Sequence, residues 1–422
     1  MKGFKETEIG LIPEEWELVK LGDKKKFAIL SSGIDNFSKE KDYLSTSSIE
    51  YNKIGNIECK ITFKNRPLRA NMQPKMDSVW FAKMKNTLKV YSFTKENISE
   101  INRYILSTGF TGVVCSGKVN PIFLKQIFLS DYFGKFKDSL AHGSTQKAVN
   151  NSDIQNINIP LPPIFEQSNI SYILSKIQSA IETQEKIIKT TTELKKAMMQ
   201  KLFAEGLYDE PQRNTEIGKI PKSWKVVKIK DAIRETFTKN PEKELSKSIK
   251  YVDVSSVSNE IFSIIGHQVF LGKDAPGRAR KIIYSNDVIF ATVRPTLKRV
   301  AKVGSEYNNE YCSTAFCVLR ADESRLDYEF LYQYLITDSF IKEIGKLQTG
   351  ASYPAVRDDN VREMKIPFPA IKGQKEISSI LKQLDEKVLI TIKRKDCLQS
   401  LFKSMLHQLM TGRIRVKDLK IA

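Results

Sequence analysis

The sequence is poor in residues that bind metals. Its 422 residues include only three histidines and five cysteines, and no two cysteines have C-x-x-C spacing. These residues are scattered along the chain: Cys59, Cys115, Cys312, Cys317, Cys397, His142, His267 and His407. Because a structural zinc site needs about four such ligands at defined spacings, we expect no metal site. We expect the cysteines to be small buried residues in a reducing compartment.

Long apolar runs are also missing. No apolar run approaches the ~20 residues that span a bilayer. The first ten residues, MKGFKETEIG, lack the apolar segment of a signal peptide. We therefore expect a cytoplasmic protein with no membrane partner.

Motifs that carry chemistry are missing as well. The sequence has no GxxxxGK(S/T) loop, so it does not encode ATP-driven translocation. Residues 120–123, Asn-Pro-Ile-Phe, superficially resemble the loop with which amino-methyltransferases hold a target amine. That loop needs a second proline, and a methyltransferase also needs a glycine-rich turn for the methyl donor. We interpret residues 120–123 as a helix start, and we expect no catalytic centre and no bound cofactor in this chain.

The charge is strongly one-sided. Sixty-eight Lys and Arg residues stand against 49 Asp and Glu residues, which gives a net charge of +19. Such a balance predicts a polyanionic partner. A lysine-rich proteome or a solubility device would give the same balance. A membrane surface is less favoured, because no lipidation motif or basic amphipathic anchor accompanies the charge.

The chain is a tandem repeat. TEIGLIPEEWELVKLGD starts at Thr7 and TEIGKIPKSWKVVKIKD at Thr215, with ten of the 17 positions identical. The offset of this first match is 215 − 7 = 208 residues. A second match starts at Gly143 and Gly350, with an offset of 207 residues. One unit of about 207 residues is therefore used twice.

Each copy begins with a mixed α/β domain. Residues 7–163 and 215–370 combine short apolar segments of strand length with turn residues. A helix is predicted near 121–137, and its counterpart near 328–345. The predicted fold class is α+β, with two homologous domains joined by two long helices.

A long helix closes each copy. From about residue 165 to 205 there is no glycine or proline, and apolar residues recur at the spacing of a coiled-coil seam. Packing against the adjacent domain would give a similar stripe. The stripe residues that we expect to pair the helices or to bind partners are Ile173, Ile177, Leu194, Met198, Ile380, Leu384, Leu401 and Met405.

The length of these helices constrains function. Forty residues at ~1.5 Å per residue make a rod of ~60 Å. If the two copies are related by a pseudo-twofold axis, the helices pair antiparallel and each domain lies at one end. A symmetric dimer places two identical readers on a palindrome. One chain with two different readers predicts a bipartite, asymmetric target.

Basic segments in the two domains are the candidate DNA contacts. Residues 53–95 contain ten Lys and Arg and two acids, and residues 273–302 contain eight and two. Arginine suits bidentate contact with guanine, and lysine more often contacts phosphate. The candidates in these segments are Arg66, Arg69, Lys85, Lys89, Arg278, Arg280, Arg294, Lys298 and Arg299. Each could instead be a solvated surface charge.

Two glycine-containing loops add to the candidates. Residues 143–147 (GSTQK) and 350–354 (GASYP) occupy matching places in the two copies. Small hydroxyl residues with Gln or Tyr suit a loop that approaches a nucleic acid, and they equally suit a tight turn. The candidates here are Thr145, Gln146, Lys147 and Tyr353.

Several motifs together resemble the specificity subunit of type I restriction–modification systems. They are the two TEIG-x-IP-x-x-W starts, the IPLPP and IPFP boxes, NDVIFATVRP at 286–295 and LMTGRIRV at 409–416. The first copy departs from the pattern, with FAKMKN at 81–86 and FAEG at 203–206. The resemblance implies target-recognition domains at 1–163 and 207–370, spacer helices at 164–206 and 371–415, and a tail at 416–422.

The resemblance also implies partners. Each domain would read one half of a split site in double-stranded DNA, and the helices would set the spacing and bind two modification subunits. Those subunits would bind S-adenosylmethionine and methylate adenine, and restriction subunits would use ATP and Mg. Two alternatives stay open: the specificity partner of a methylation-only or non-ATP-driven system, and a scaffold that binds only protein.

Overall fold

The computed structural model describes residues 3–143, 147–417 and 419. The chain divides into two compact units. Unit 1 comprises residues 1–183 and 395–422, and unit 2 comprises residues 184–394. Within the described part of the chain, none of the helices has the length and apolar character needed to cross a membrane.

Unit 1 contains two four-stranded sheets and three strand pairs. Its strands are β1 (Phe4–Thr7), β2 (Gly10–Pro13), β3 (Glu17–Lys20), β4 (Phe27–Ile29), β5 (Lys41–Leu44), β6 (Ile49–Glu50), β7 (Lys53–Ile54), β8 (Cys59–Ile61), β9 (Ala70–Met72), β10 (Ser78–Ala82), β11 (Val90–Phe93), β12 (Tyr104–Ser107), β13 (Phe110–Cys115) and β14 (Asn158–Leu161). The sheets have the orders β11-β10-β13-β4 and β8-β5-β12-β9. β1 pairs with β2 and β3 with β14, and β6 and β7 form a short ribbon.

The helices of unit 1 are α1 (Ile98–Arg103), α2 (Pro121–Phe128), α3 (Asp131–Ser139), α4 (Asn151–Ile154), the first part of α5 (Ile164–Glu205) and the end of a second long helix, from residue 395 to 410. Asn120 caps α2 by accepting hydrogen bonds from the backbone N–H groups of residues 122 and 123. This confirms the interpretation of residues 120–123 as a helix start. The single helix predicted near 121–137 is wrong in one respect: it is two helices, because the hydroxyl of Ser130 caps a new start at α3.

Unit 2 repeats this arrangement. Its strands are β15 (Gln212–Thr215), β16 (Gly218–Pro221), β17 (Lys225–Lys228), β18 (Ile233–Arg234), β19 (Ser248–Val252), β20 (Gln268–Leu271), β21 (Ala279–Ile283), β22 (Val288–Ala291), β23 (Val300–Lys302), β24 (Glu310–Ser313), β25 (Phe316–Ala321) and β26 (Lys365–Phe368). The sheets have the orders β18-β25-β22-β23 and β20-β19-β24-β21. In both units one strand pair is parallel, β5 with β12 and β19 with β24.

The helices of unit 2 are the second part of α5, α6 (Tyr328–Leu335), α7 (Asp338–Gly345), α8 (Asp358–Glu363) and the first part of α9 (Ile371–Met410). Here too the helix predicted near 328–345 is two helices, with Thr337 as the cap of the second. The matching element order confirms two homologous mixed α/β domains and two long helices.

The central strands β10 and β22 are buried on both faces. Val79 and Phe81 of β10 pack with the helices of unit 1, whereas Trp80 packs in the core between strands. In β22, Phe290 packs with the helices of unit 2, and Ile289 packs in the core between strands. Since side chains alternate between the two faces of a strand, burial on both sides requires a continuous apolar run. This accounts for the apolar segments seen in the sequence.

The long helices run antiparallel within unit 2. Lys195 of α5 forms an ion pair with Asp385 of α9 (2.6 Å). Ile187, which comes earlier on α5, lines a cleft together with Thr391, which comes later on α9. In unit 1, Ile181 of α5 and Leu398 of α9 belong to one hydrophobic core. The predicted antiparallel pairing is thus present in each unit.

The predicted seam is partly wrong in its register. The buried residues of α5 are Ile170, Leu174, Ile181, Thr191, Lys195, Met199 and Leu202, among others. Leu194 and its counterpart Leu401 lie off this stripe and are 50% and 46% exposed. The predicted residues that are half-buried are Ile173, Ile177, Met198, Ile380, Leu384 and Met405. Lys195 can occupy the seam because Asp385 compensates its charge.

Residues after α9 attach to unit 1 through a buried carboxylate. Glu166 accepts hydrogen bonds from Arg415 Nε (2.8 Å) and Nη2 (3.0 Å), and from Trp16 Nε1 (3.0 Å). Asn169 Nδ2 donates to the carbonyl of Val416 (2.7 Å). We call these contacts the Arg415 clasp. At the position of Glu166, the second copy has Gly373.

The expectation for the cysteines is wrong for two of the five. Cys115, Cys312 and Cys317 are buried, but Cys59 and Cys397 are exposed. Burial raises the pKa of the Cys115 and Cys317 thiols to about 12.

Candidate nucleic-acid interface

Loops that are far apart in sequence meet at one edge of unit 1. The N–H of Lys83, just after β10, donates to the carbonyl of Gly109 in the β12–β13 turn (2.9 Å). The N–H of Lys85 donates to the carbonyl of Lys147 in the glycine-containing loop (2.9 Å). These main-chain bonds bring together the two sets of candidates that the sequence suggested separately.

A fourth segment joins this edge. The N–H of Thr108 donates to the carbonyl of Arg69, which precedes β9 (2.8 Å). We call the surface formed by Arg69 and residues 83–89, 107–110 and 147–148 the unit 1 loop edge.

Unit 2 has the same arrangement. The N–H groups of Thr292 and Thr314 donate to the carbonyls of Ala315 (2.8 Å) and Arg278 (2.9 Å). The N–H of Arg294 donates to the carbonyl of residue 354 (2.7 Å). The unit 2 loop edge is therefore formed by Arg278 and residues 292–299, 313–316 and 352–355.

The side chains at the unit 2 loop edge form an exposed basic and aromatic pair. The Arg294 guanidinium lies 4.8 Å from the centre of the Tyr353 ring. Its Nη2 donates to the carbonyl of Ser352 (3.3 Å), and Tyr353 is 72% exposed. Contact with the ring and with this carbonyl limits the positions that the guanidinium can adopt. A guanidinium held in this way can donate two parallel hydrogen bonds to a base edge, and the exposed ring can stack on a base or sugar.

The side chains of the unit 1 loop edge differ. Lys85 and Lys147 are exposed, and Asn86 adopts a left-handed conformation (φ 57°). The N–H of Asn86 donates to the carboxylate of Asp138 in α3 (3.1 Å). The buried ammonium of Lys137 donates to the carbonyl of residue 84 (2.7 Å). Thr145 and Gln146, the latter the counterpart of Tyr353, lie outside the described residues.

Two predicted candidates contact the protein instead. Lys89 Nζ donates to the carbonyl of Thr46 (2.6 Å), and Arg299 Nη1 donates to the carbonyls of Val254 (3.1 Å) and Val257. Thr46 and Val254 belong to equivalent short turns in the two units. Lys89 therefore corresponds to Arg299, although the Thr-Leu-Lys sequences at 87–89 and 296–298 would align Lys89 with Lys298. The reason is that the loop after β22 is one residue longer than the loop after β10.

Three further candidates also have partners within the protein. Arg66 stacks on the Phe63 ring at 4.4 Å. Arg280 contacts Glu242 (3.3 Å), and Lys298 forms an ion pair with Asp338. The candidates that remain exposed at the two loop edges are Arg69, Lys85, Lys147, Arg278, Arg294 and Tyr353.

Sequence reasoning missed Lys83, Thr108 and Thr314. Lys83 is half-buried at the loop edge, and burial lowers the pKa of its ammonium group. The two threonines follow β12 and β24, in turns that carry no basic residue. A search for clustered charge cannot find such positions. These positions could have been found only by comparing the corresponding turns of the two copies.

Metal-binding chemistry finds no support in the described part of the chain. Among those residues, no group of three or more His, Cys, Asp or Glu side chains is placed to hold a metal ion.

Comparisons with known proteins agree with the repeat. A family model described as the type I restriction modification DNA specificity domain matches residues 13–192 and 221–400. The MjaVIII type I restriction enzyme specificity subunit of Methanocaldococcus jannaschii is 28% identical over 448 residues, covering 99% of this chain and 97% of the relative. The EcoDI specificity subunit of Escherichia coli is 22% identical over 338 residues, covering 68% of this chain and 73% of the relative.

Solved structures share the fold. The crystal structure of a type I restriction–modification system S subunit from M. genitalium matches with a TM-score of 0.58 and 14% identity, covering 93% of this chain and 96% of that one. The family model covers most of the present sequence, in two copies that contain the two loop edges. The chain therefore belongs to the family that carries the type I restriction–modification DNA specificity domain.

Proposed function

We propose that this chain is the sequence-specific DNA-binding subunit of a type I restriction–modification complex. Each unit reads one half of a bipartite, asymmetric site in double-stranded DNA. The observation that carries the proposal is the pair of loop edges, which share main-chain hydrogen bonds but present different side chains. One scaffold with two sets of surface groups is what an asymmetric target requires. The net charge of +19 supports a polyanionic partner.

The two loop edges differ in the chemistry that they offer. Arg294, oriented by the Tyr353 ring, suits a bidentate contact with guanine O6 and N7. Lys85 and Lys147 suit contacts with phosphate oxygens, which position a protein on the duplex without reading sequence. Unit 2 therefore offers a candidate contact to a base, whereas the candidates of unit 1 suit the DNA backbone.

The long helices serve the assembly in this proposal. They set the spacing between the two half-sites and bind two modification subunits, which carry S-adenosylmethionine. Restriction subunits add ATP and Mg. The exposed leucines Leu194 and Leu401 occupy equivalent places on α5 and α9 and suit such contacts. The chain itself is non-catalytic and acts in the cytoplasm.

The test begins with the target site. Methylated bases are mapped in host DNA with and without the gene, and binding is then measured for the full chain with its modification subunits. Arg294→Ala should weaken binding of the mapped site by about tenfold and relax discrimination at one base pair. Lys85→Ala should weaken binding of all sequences alike and reduce the salt dependence.

The control is Lys225→Ala, which removes an exposed charge on β17, outside the loop edge. It should leave discrimination unchanged. A scaffold that binds only protein predicts affinity for DNA that is negligible and independent of salt. If Arg294→Ala and Lys225→Ala had equal effects on discrimination, the assignment of the unit 2 loop edge would be wrong.

A further inference from the structure

The loop that presents Arg294 has an unfavourable backbone conformation at both ends. Arg294 (φ 49°) and Lys298 (φ 55°) lie in the left-handed region, on either side of a short turn at Pro295–Leu297. Residues with a side chain rarely adopt this conformation, because the Cβ atom crowds the backbone. Such a loop keeps its shape only if its surroundings hold both ends.

The Arg294 end is held by the loop edge itself. Its N–H donates to the carbonyl of residue 354 (2.7 Å), and its guanidinium stacks on Tyr353.

At the other end, the Lys298 side chain contacts one carboxylate, and Arg299 beside it contacts the carbonyls of Val254 and Val257. Asp338, the first residue of α7, contacts Lys298 Nζ through Oδ1 and Lys196 Nζ through Oδ2 (2.8 Å). Hydrogen bonds from Lys196 and Lys298 lower the pKa of Asp338, so the carboxylate is ionised at neutral pH. Lys196 lies on α5. One side chain thus joins the DNA-reading loop to the start of α7 and to the long helix.

Unit 1 differs at this point. Asp131 and Lys403 occupy the positions of Asp338 and Lys196, but Leu88 occupies the position of Lys298. Leucine cannot form the ion pair. The unit 1 loop is held instead by the N–H of Asn86, which donates to the carboxylate of Asp138. The two carboxylates Asp131 and Asp338 are therefore matched in place and charge, but only the second can hold a reading loop.

We propose that Asp338 is a positioning residue for base discrimination by unit 2. It does not touch DNA. It fixes the loop in the conformation that aims Arg294, and loss of its charge frees that loop. The inference rests on the proposed DNA-reading function.

Two variants separate this role from simple electrostatics. Asp338→Asn removes a negative charge and should raise affinity for all DNA sequences slightly. Lys298→Met removes a positive charge and should lower affinity for all sequences. Both break the same ion pair. The inference therefore predicts that both reduce discrimination at the base pair assigned to Arg294, by about tenfold, within the range of one bidentate contact.

The measurement is fluorescence anisotropy with the full chain and its modification subunits. Duplexes carry the mapped site or a single base change in either half. Discrimination in the half read by unit 1 should stay at its wild-type value in both variants. Asp338→Glu, which restores the carboxylate, should recover most of the discrimination. Asp131→Asn is the matched control, because it makes the same charge change in unit 1 without releasing a loop.

The outcomes are distinguishable. If the wild-type complex shows no sequence discrimination in either half, the proposed function itself fails. If the wild type discriminates but Asp338→Asn and Lys298→Met keep the full ratio, only the positioning role is overturned. A loss in both halves with a lowered melting temperature would indicate a general stability role and would also refute the inference.

Discussion

The Arg415 clasp gives the sharpest stability prediction. Arg415→Met removes two hydrogen bonds from Glu166, at 2.8 and 3.0 Å, and leaves that carboxylate with Trp16 Nε1 as its main partner. The Glu166 side chain is 1% exposed, whereas that of Arg415 is 24% exposed. Breaking a buried pair costs about 3–5 kcal/mol, because one charge stays buried without compensation. The partial exposure of Arg415 places the expected loss near the lower limit, about 3 kcal/mol.

The assay is urea unfolding followed by tryptophan fluorescence. Trp16 and Trp80 report on unit 1 and Trp224 on unit 2, so a Trp224→Phe background isolates unit 1. For a unit of this size the free energy of unfolding changes by roughly 2–3 kcal/mol per molar urea. Arg415→Met should therefore lower the midpoint by about 1 M.

A matched control and a double variant test the reasoning. Arg413→Met removes the same charge from an exposed side chain and should change stability by less than about 0.5 kcal/mol. Combining Arg415→Met with Glu166→Leu removes both charges and should recover much of the loss. Equal midpoints for Arg415→Met and Arg413→Met would refute the argument that Glu166 needs its partner.

Two other predictions follow from the structure. Hydrogen bonds from two lysines lower the pKa of exposed Glu363 from 4.5 to about 2, so they stabilise the fold above pH ~4.5 and less as the pH falls toward 2. Glu363→Gln should be less stable than wild type in urea at pH 7, with a difference that shrinks below pH 4.5; a constant difference would contradict this. Seven residues inserted after Thr190 should lengthen α5 by ~10 Å and widen the DNA spacer by about one to three base pairs. An unchanged spacer among methylated sites would show that the helices do not set it.

The fold could be predicted from the sequence where the evidence was a repeated motif or a local capping residue. The two TEIG starts established two homologous domains, and Asn120 before a proline predicted a helix start that the structure confirms. The breaks at Ser130 and Thr337 were missed, because one capping hydroxyl inside a helical pattern is a weak signal.

The candidate site was only partly predictable. The basic residues were visible, but counting charge cannot separate exposed Arg294 from Arg299, whose guanidinium donates to the carbonyls of Val254 and Val257. The partners of Arg299 depend on the turn at Val254, which lies 45 residues earlier in the sequence. The pair of Glu166 and Arg415 joins residues 249 positions apart and leaves no periodic trace. The seam was misread at Leu194, because a lysine on the buried stripe looks like a surface residue until its partner Asp385 is known.

The main-chain bonds of the loop edges have a consequence for evolution. Every residue supplies a backbone carbonyl, and every residue except proline supplies an N–H. The frame at Lys85 and Arg294 therefore survives many changes of side chain, although the left-handed conformation of Arg294 disfavours β-branched residues there. After duplication, each copy could drift toward new surface groups without passing through a misfolded ancestor. The stability of the fold and the variety of its contacts are then inherited almost independently.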